Sequence, residues 1–268
     1  MSMRMLTTFI LSWVMCIGWT KNPTASRDGI TLSKLIYADV DAGFQGQSAG
    51  EVLRFLFEYT DVNARLMPIA ADHSSGIDLK TKITLPKADR PALNLLQDVL
   101  IQCSKTEACT WQIRDGVLEV SSKSRLATEN MMVVKTIPID DLLTEIPDYD
   151  DPPNLNPGGG QGGGSGGQSG GIAEFQSRQQ RLDELINLLT RTIEPEAWER
   201  RGGSWASIQV YQQTLVVRAP RWIQRQIDGF SYRIPTPEGR TARTLRSTGG
   251  QIRVEVPLSE RMRKQYDQ

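Results

Sequence analysis

Polar and apolar positions divide the chain into a short leader and two stretches in which strand and helix periodicities alternate. Met1-Ser2-Met3-Arg4 gives a positive start, and Met5 to Gly18 is mostly apolar, broken only by hydroxyl residues. A bilayer crossing needs about 20 apolar residues, so this run predicts a secretory signal peptide rather than a membrane span. Cys16 and Gly18 are small residues ahead of a cut before Trp19, and Thr24 and Ser26 offer a later one. Residues 1–26 are therefore expected to be signal peptide and leader, with the mature chain in the periplasm or cell envelope and meeting the membrane only through its export signal. Lipidation of Cys16 is an alternative, disfavoured by bulky Met15 before it. A buried N-terminal helix is another, disfavoured because Lys21 to Gly29 reads as an exposed loop.

From Gln45 to Ser121 the pattern predicts strand, helix, two strands, helix and hairpin. Ser48 and Glu51 form a Ser-x-x-Glu capping box at a helix start, with the helix over Ala49 to Thr60. Its apolar positions, Val52, Leu53, Phe55, Leu56, Phe57 and Tyr59, nearly surround it, so it should be covered on more than one side. Ala64 to Pro68 reads as a short strand, His73 to Lys80 as a loop and Lys82 to Leu85 as a second strand. Asp89 is a plausible N-cap for the next helix, with Pro91 in its first turn. There Ala92, Leu95, Leu96, Val99 and Leu100 share one face. Trp111 and Ile113, then Leu118 and Val120, alternate with polar residues around Asp115-Gly116, which predicts a hairpin.

A second unit follows. Met132 to Ile139 reads as a strand and Ile139 to Ile146 as a short helix. Asp148 to Asn156 is acidic and proline-bearing, and 10 of the 14 residues from Gly158 to Gly171 are glycine. Such a run cannot bury apolar surface and should stay flexible. It lacks the Gly-Lys-Ser/Thr entry of a phosphate loop. Leu182, Leu185, Ile186, Leu189 and Ile193 predict an amphipathic helix. Ile208 and Val210, a turn near Gln212-Gln213, and Leu215-Val216-Val217 predict another hairpin. Pro220 opens a final helix with Ile223, Ile227 and Phe230 inward. Residues 231–268 carry eight Lys or Arg against four acids and read as a basic, solvated C-terminal extension. Within it Ile252, Val254 and Val256 alternate as one strand suited to pairing with an open sheet edge.

Composition narrows the chemistry. The 268 residues suffice for one large or two small folded units. With 31 Lys and Arg against 31 Asp and Glu, no polyelectrolyte partner such as nucleic acid is implied. His73 is the single histidine, which excludes a two-histidine metal site, and three cysteines do not make a zinc module. Asp140-Asp141 and Asp150-Asp151 are adjacent pairs that do not converge on one point without help from the fold. Asp39-Val-Asp41 lacks the rest of a calcium loop. Trp111, Trp198, Trp205 and Trp222 are irregularly spaced and read as core caps rather than stacking platforms. No catalytic residue, cofactor or metal is expected. Cys103 and Cys109, separated by five residues, are expected to form a disulfide clamp after export, worth roughly 2 kcal/mol for so small a loop. Otherwise they are two inert thiols.

Glu51-Val-Leu-Arg-Phe-Leu-Phe-Glu-Tyr-Thr, Lys82-Ile-Thr-Leu, Ala92-Leu-Asn-Leu-Leu-Gln-Asp-Val-Leu and Trp111-Gln-Ile-Arg-Asp-Gly-Val-Leu-Glu-Val stand in this order between Gly43 and Ser121. This stretch resembles the short N-terminal domain shared by secretins and TonB-dependent receptors, placing such a domain over 43–125. Glu194-Pro-Glu-Ala-Trp198, Gly202-Gly203-Ser204 and Leu215-Val-Val resemble the ring-building periplasmic modules of secretins. That module would span 131–230 with a flexible insertion at 157–171. The fold implied is α+β, two small α/β modules in series: strand-helix-strand-strand-helix-hairpin, then strand-helix-hairpin-helix. The function implied is a non-enzymatic exported envelope protein that packs in rings or stacks, through self-association or a protein partner. Lacking a long set of alternating strands, it is not expected to be a pore itself. The alternative is a periplasmic ligand-binding protein or hydrolase using the loop from Asp72 to Lys80 with the acidic segment. Limited proteolysis is expected to cut within Gly158 to Gly171 and leave two separately folded pieces, and a protease-resistant run would contradict the insertion.

Overall fold

A computed structural model describes residues 25–71, 73–139 and 178–266. The leader, the helix expected from Ile139 to Ile146, the acidic stretch and the glycine run lie outside them, apart from Ala25, Ser26 and Ile139 themselves. The described residues form an α+β fold built on two hydrophobic cores.

The first unit begins with a helix that the sequence pattern did not predict and whose first residues, Arg27 to Gly29, read there as the end of an exposed loop. In α1 (Arg27–Tyr37), Leu32, Leu35 and Ile36 are buried, and the Ser26 hydroxyl accepts from Gly29 N–H at the N-terminus. Then come β1 (Asp39–Ser48), α2 (Ala49–Thr60), β2 (Ala64–Leu66), β3 (Lys82–Pro91), α3 (Ala92–Cys103), β4 (Cys109–Arg114) and β5 (Val117–Ser122). The capping box forms as expected: Glu51 N–H donates to Ser48 Oγ, and Ser48 N–H donates to the Glu51 carboxylate. β1 and β3 pair antiparallel from Asp39↔Pro91 to Ser48↔Lys82. β5 lies between β2, parallel to it, and β4, antiparallel. Asp115 and Gly116, with φ of 55° and 83°, make the tight turn that joins β4 to β5. Asp89 is not a helix cap. β1 gives β3 a partner along its full length, so Asp89 pairs with Asp41 and the helix starts after Pro91 without a side-chain cap.

The second unit comprises β6 (Met132–Pro138), α4 (Arg178–Thr192), β7 (Ser207–Tyr211), β8 (Thr214–Pro220) and α5 (Arg221–Asp228). Its sheet runs β6-β8-β7, antiparallel throughout. Leu182 and Ile186 of α4, Trp222 and Ile223 of α5, and Ile208, Leu215 and Val217 of the sheet share one core.

The C-terminal segment corrects the expectation of a solvated extension. After α5 the chain turns back onto the first unit as a strap. Gly29 of α1 lies so close to the strap that a Cβ there would run into the Arg233 carbonyl. Ser33 Oγ donates to Pro235 O at 2.6 Å, and the Tyr37 hydroxyl meets Thr236 Oγ1 at 3.1 Å. The strap continues into a hairpin, β9 (Thr244–Thr248) and β10 (Gln251–Glu255), followed by α6 (Leu258–Tyr266). Ile252 and Val254 do sit on one strand, but β10 pairs with β9 and buries these side chains in the first core. Asn94 of α3 locks the hairpin by exchanging two hydrogen bonds with the Val254 backbone.

This closure also alters the proteolysis picture. β6 precedes the glycine run and β8 follows it, yet they share one sheet. Fragments cut there are held together by pairing rather than separating into independent domains.

Arg243 anchors the strap. Its side chain is fully buried, with Nη1 and Nη2 on the Asp39 carboxylate at 2.7 and 2.8 Å, Nη2 also on Glu260 at 2.6 Å, and Nη1 on Ile36 O at 2.7 Å. Removing one partner of a buried pair costs about 3 kcal/mol or more. Arg243→Met should therefore lower unfolding stability by that amount in a denaturant titration. Hydrogen bonding from Arg243 holds the Glu260 carboxyl below its usual range, more strongly than burial raises it. Its contribution is present above the ordinary carboxylate pKa of about 4.3 and is lost as pH falls through the lowered folded value. Loss of stability on acidification should be shallower in Glu260→Gln than in the parent.

Candidate functional site

The two cores meet along α5. On one side of this helix Trp222 and Ile223 enter the second core; on the other, Arg225 is 9% exposed and reaches the first unit. β4 is the outer strand of its sheet, and Arg225 covers that edge: Nη1 donates to Trp111 O at 2.6 Å and Nη2 to Thr110 Oγ1 at 3.3 Å. The guanidinium stacks 4.0 Å from the Trp111 ring centroid, and Phe230, just beyond α5, stacks on the same indole at 6.4 Å. Burial pulls the Arg225 guanidinium well below its ordinary pKa, to about 9, so it remains charged at neutral pH.

Other ties reinforce the seam. Gln224 Nε2 donates to Val217 O of β8 and Val133 O of β6. Lys123, just past β5, pairs with Glu194 at 2.7 Å and lies 5.2 Å over the Trp222 ring. Between β4, β6, α5 and residues 229–232 there remains a cavity of about 70 Å3. Nothing in the apolar periodicity of α5 marks Arg225; a charged residue on a short helix reads as solvent-facing until the fold sets β4 against it. Trp111 and Trp222, expected only as core caps, border the seam as well as filling cores.

The residues singled out from the sequence do not converge here. Cys103 and Cys109 are free thiols, which corrects the expected disulfide. Cys103 is buried in the first core at the end of α3, while Cys109 Sγ, at the start of β4, lies 3.6 Å from Glu107 O. The loop between them is closed by Ser104, whose hydroxyl accepts from Cys109 N–H at 2.9 Å and donates to Leu100 O at 2.7 Å. His73 lies on an exposed turn, where it exchanges backbone hydrogen bonds with Ala70. In the same loop Ile77 is buried in the first core, and the Asp78 carboxylate accepts from Lys80 N–H and the Thr81 hydroxyl. The loop is thus a structural turn, and Asp72 and the acidic segment lie outside the described residues. Asp39 and Asp41 sit on β1, Asp39 serving the Arg243 anchor and Asp41 pairing with Lys87. Among the described residues no three His, Cys, Asp or Glu side chains converge as a metal site. The chain matches no protein-family profile, no curated protein and no solved structure.

Burial pushes the Cys103 thiol up to about 12 and that of Cys109 to about 11. Both groups therefore favour the fold while neutral, and their contribution is full below the unfolded thiol pKa, near 8.5, and declines as pH rises toward those values. Residues 25–268 should yield two titratable thiols in denaturant, both reacting slowly in native protein at pH 8; a disulfide recovered from freshly isolated protein would contradict the free-thiol geometry.

Proposed function

We propose that the chain is a non-enzymatic, exported module of the cell envelope that works by surface contact, with a second copy or another protein. The observation that carries this reading is the exposed side of the second sheet. α4 and α5 cover one face of β6-β8-β7, while on the other Val134 is 59% and Tyr211 68% exposed, beside exposed Thr136 and Gln209. Among the described residues β7 has β8 on one side and no strand on the other. A terminal strand with free backbone groups is a template for pairing with another chain.

In the three-stranded sheet of the first unit both outer strands are met by other groups. Arg225 covers β4, and Ile77 bridges to Pro68 just beyond β2. Contact through the second unit agrees with its resemblance to a ring-building secretin module, and the apolar leader agrees with action outside the cytoplasm.

Photocrosslinking in intact cells tests this directly. A photoreactive residue in place of Tyr211 should give a discrete adduct in the envelope fraction, and one in place of Ile30, on the first unit, should not. Absence of an adduct at Tyr211, with a monomer by light scattering at high concentration, would overturn the reading.

A further inference from the structure

The open edge of β7 has a parity and a length that follow residue by residue. Tyr211 and Thr214 close the two-residue turn Gln212-Gln213, and the closing residues of such a hairpin exchange both of their backbone hydrogen bonds. Counting back along the strand, Gln209 and Ser207 likewise bond to β8, while the N–H and C=O groups of Ala206, Ile208 and Val210 point outward. Ala206 fits this alternation: its N–H donates to Ala197 O at 2.9 Å and its carbonyl accepts from Glu199 N–H at 2.8 Å. The segment around Trp198 thereby fills the place beside Ala206. Among the described residues no hydrogen bond reaches the outward groups of Ile208 and Val210.

Charge indicates what completes them. Edge strands are ordinarily guarded by charged residues, proline or a bulge. β7 has none of these, and its register with β8 is unbroken. From Gly202 to Val217 the chain carries no charged residue, although 23% of the whole sequence is charged. A two-fold contact sets a strand against its own copy, so a charge near the axis would meet its like; this edge presents none. Gln209 and Tyr211 lie exposed on the outer face of the sheet, and Val210 is half-buried on the core side.

We infer that β7 pairs antiparallel with β7 of a second copy about a two-fold axis at Val210. The inference rests on the surface-contact reading and names its partner. An axis at Gln209 would lay Gln212 of the second copy onto Trp198, whereas with the axis at Val210 that residue comes opposite Ile208 and clears it. Val210 then exchanges two hydrogen bonds with Val210 of the second copy, and Tyr211 of each chain faces Gln209 of the other. The two three-stranded sheets join into one continuous sheet. The paired length is short, so the dimer is a concentration-dependent one.

Cysteine mapping of the whole purified protein tests the register. Directly opposed side chains in such a pair stand about 4.5–5.5 Å apart and diagonal ones about 7–8 Å, so only the opposed positions suit a disulfide. Under copper-phenanthroline oxidation, Gln209→Cys mixed with Tyr211→Cys should give a linked dimer several-fold more abundantly than either variant alone, with the parent protein as the control for Cys103 and Cys109. Sedimentation of the parent should show a monomer–dimer equilibrium. The double substitution Gln209→Lys with Tyr211→Lys, both on the exposed face, should weaken that equilibrium by about tenfold or more, because it sets like charges against each other on either side of the axis. Equal linkage in all samples, or none, overturns the inference, as does a parent that sediments as a monomer at high concentration. A crosslink from position 211 to a different protein in cells, with the purified chain monomeric, overturns the self-pairing and leaves the surface-contact reading intact.

Discussion

The fold is organised around one buried guanidinium. Arg225 closes the outer edge of β4 by donating to Trp111 O and Thr110 Oγ1, and its planar face lies on the Trp111 ring. Taking a cation out of water is costly unless its donors are satisfied and its face is matched. Here two nitrogens and the π-face find partners on the first unit, while the helix carrying the arginine has its apolar side in the second. Each unit therefore holds part of what the other needs. Separating them would expose β4 as an unpaired edge and uncover the apolar surface of Trp111 and Phe230.

The strap adds a second closure at long sequence separation. α1 presents Gly29, Ser33 and Tyr37 to residues 233–236, and Arg243 reaches back to Asp39 and the carbonyl of Ile36. Closing so long a loop has an entropic cost that rises only slowly with length. It is offset by apolar burial of Ile252 and Val254 against α3 and by the paired hydrogen bonds of Asn94. α1 touches the strap on one side and the β4–β5 turn on the other, where Asp28 and Thr31 bond the Gly116 backbone.

Local signals in the sequence were legible where one element carries its own rule. The capping box before α2, the Asp115-Gly116 turn, and the apolar spacings of α3 and α4 all correspond to observed elements. Rules that depend on a distant partner were not legible. Asp89 resembles a cap only if β1 is ignored. The Cys103 to Cys109 spacing suits a bridge, yet Ser104 closes that loop instead. The C-terminal charges conceal a hairpin because Arg243 and Arg253 are neutralised by Asp39, Glu260 and Asp98, which come from other elements. Arg225 is the extreme case, since no periodicity distinguishes a buried arginine from a solvated one. The sheet edge and exposed face of the second unit follow from topology, which the α+β reading anticipated in outline.

Two cores sharing one helix and bound by a strap should unfold as a single body, since neither retains a closed surface alone. Differential scanning calorimetry of residues 25–268 tests this most directly. A single transition whose calorimetric and van't Hoff enthalpies agree is the expected result. Two resolved transitions, with the second sheet melting while the first core persists, would contradict the shared seam on which the account rests.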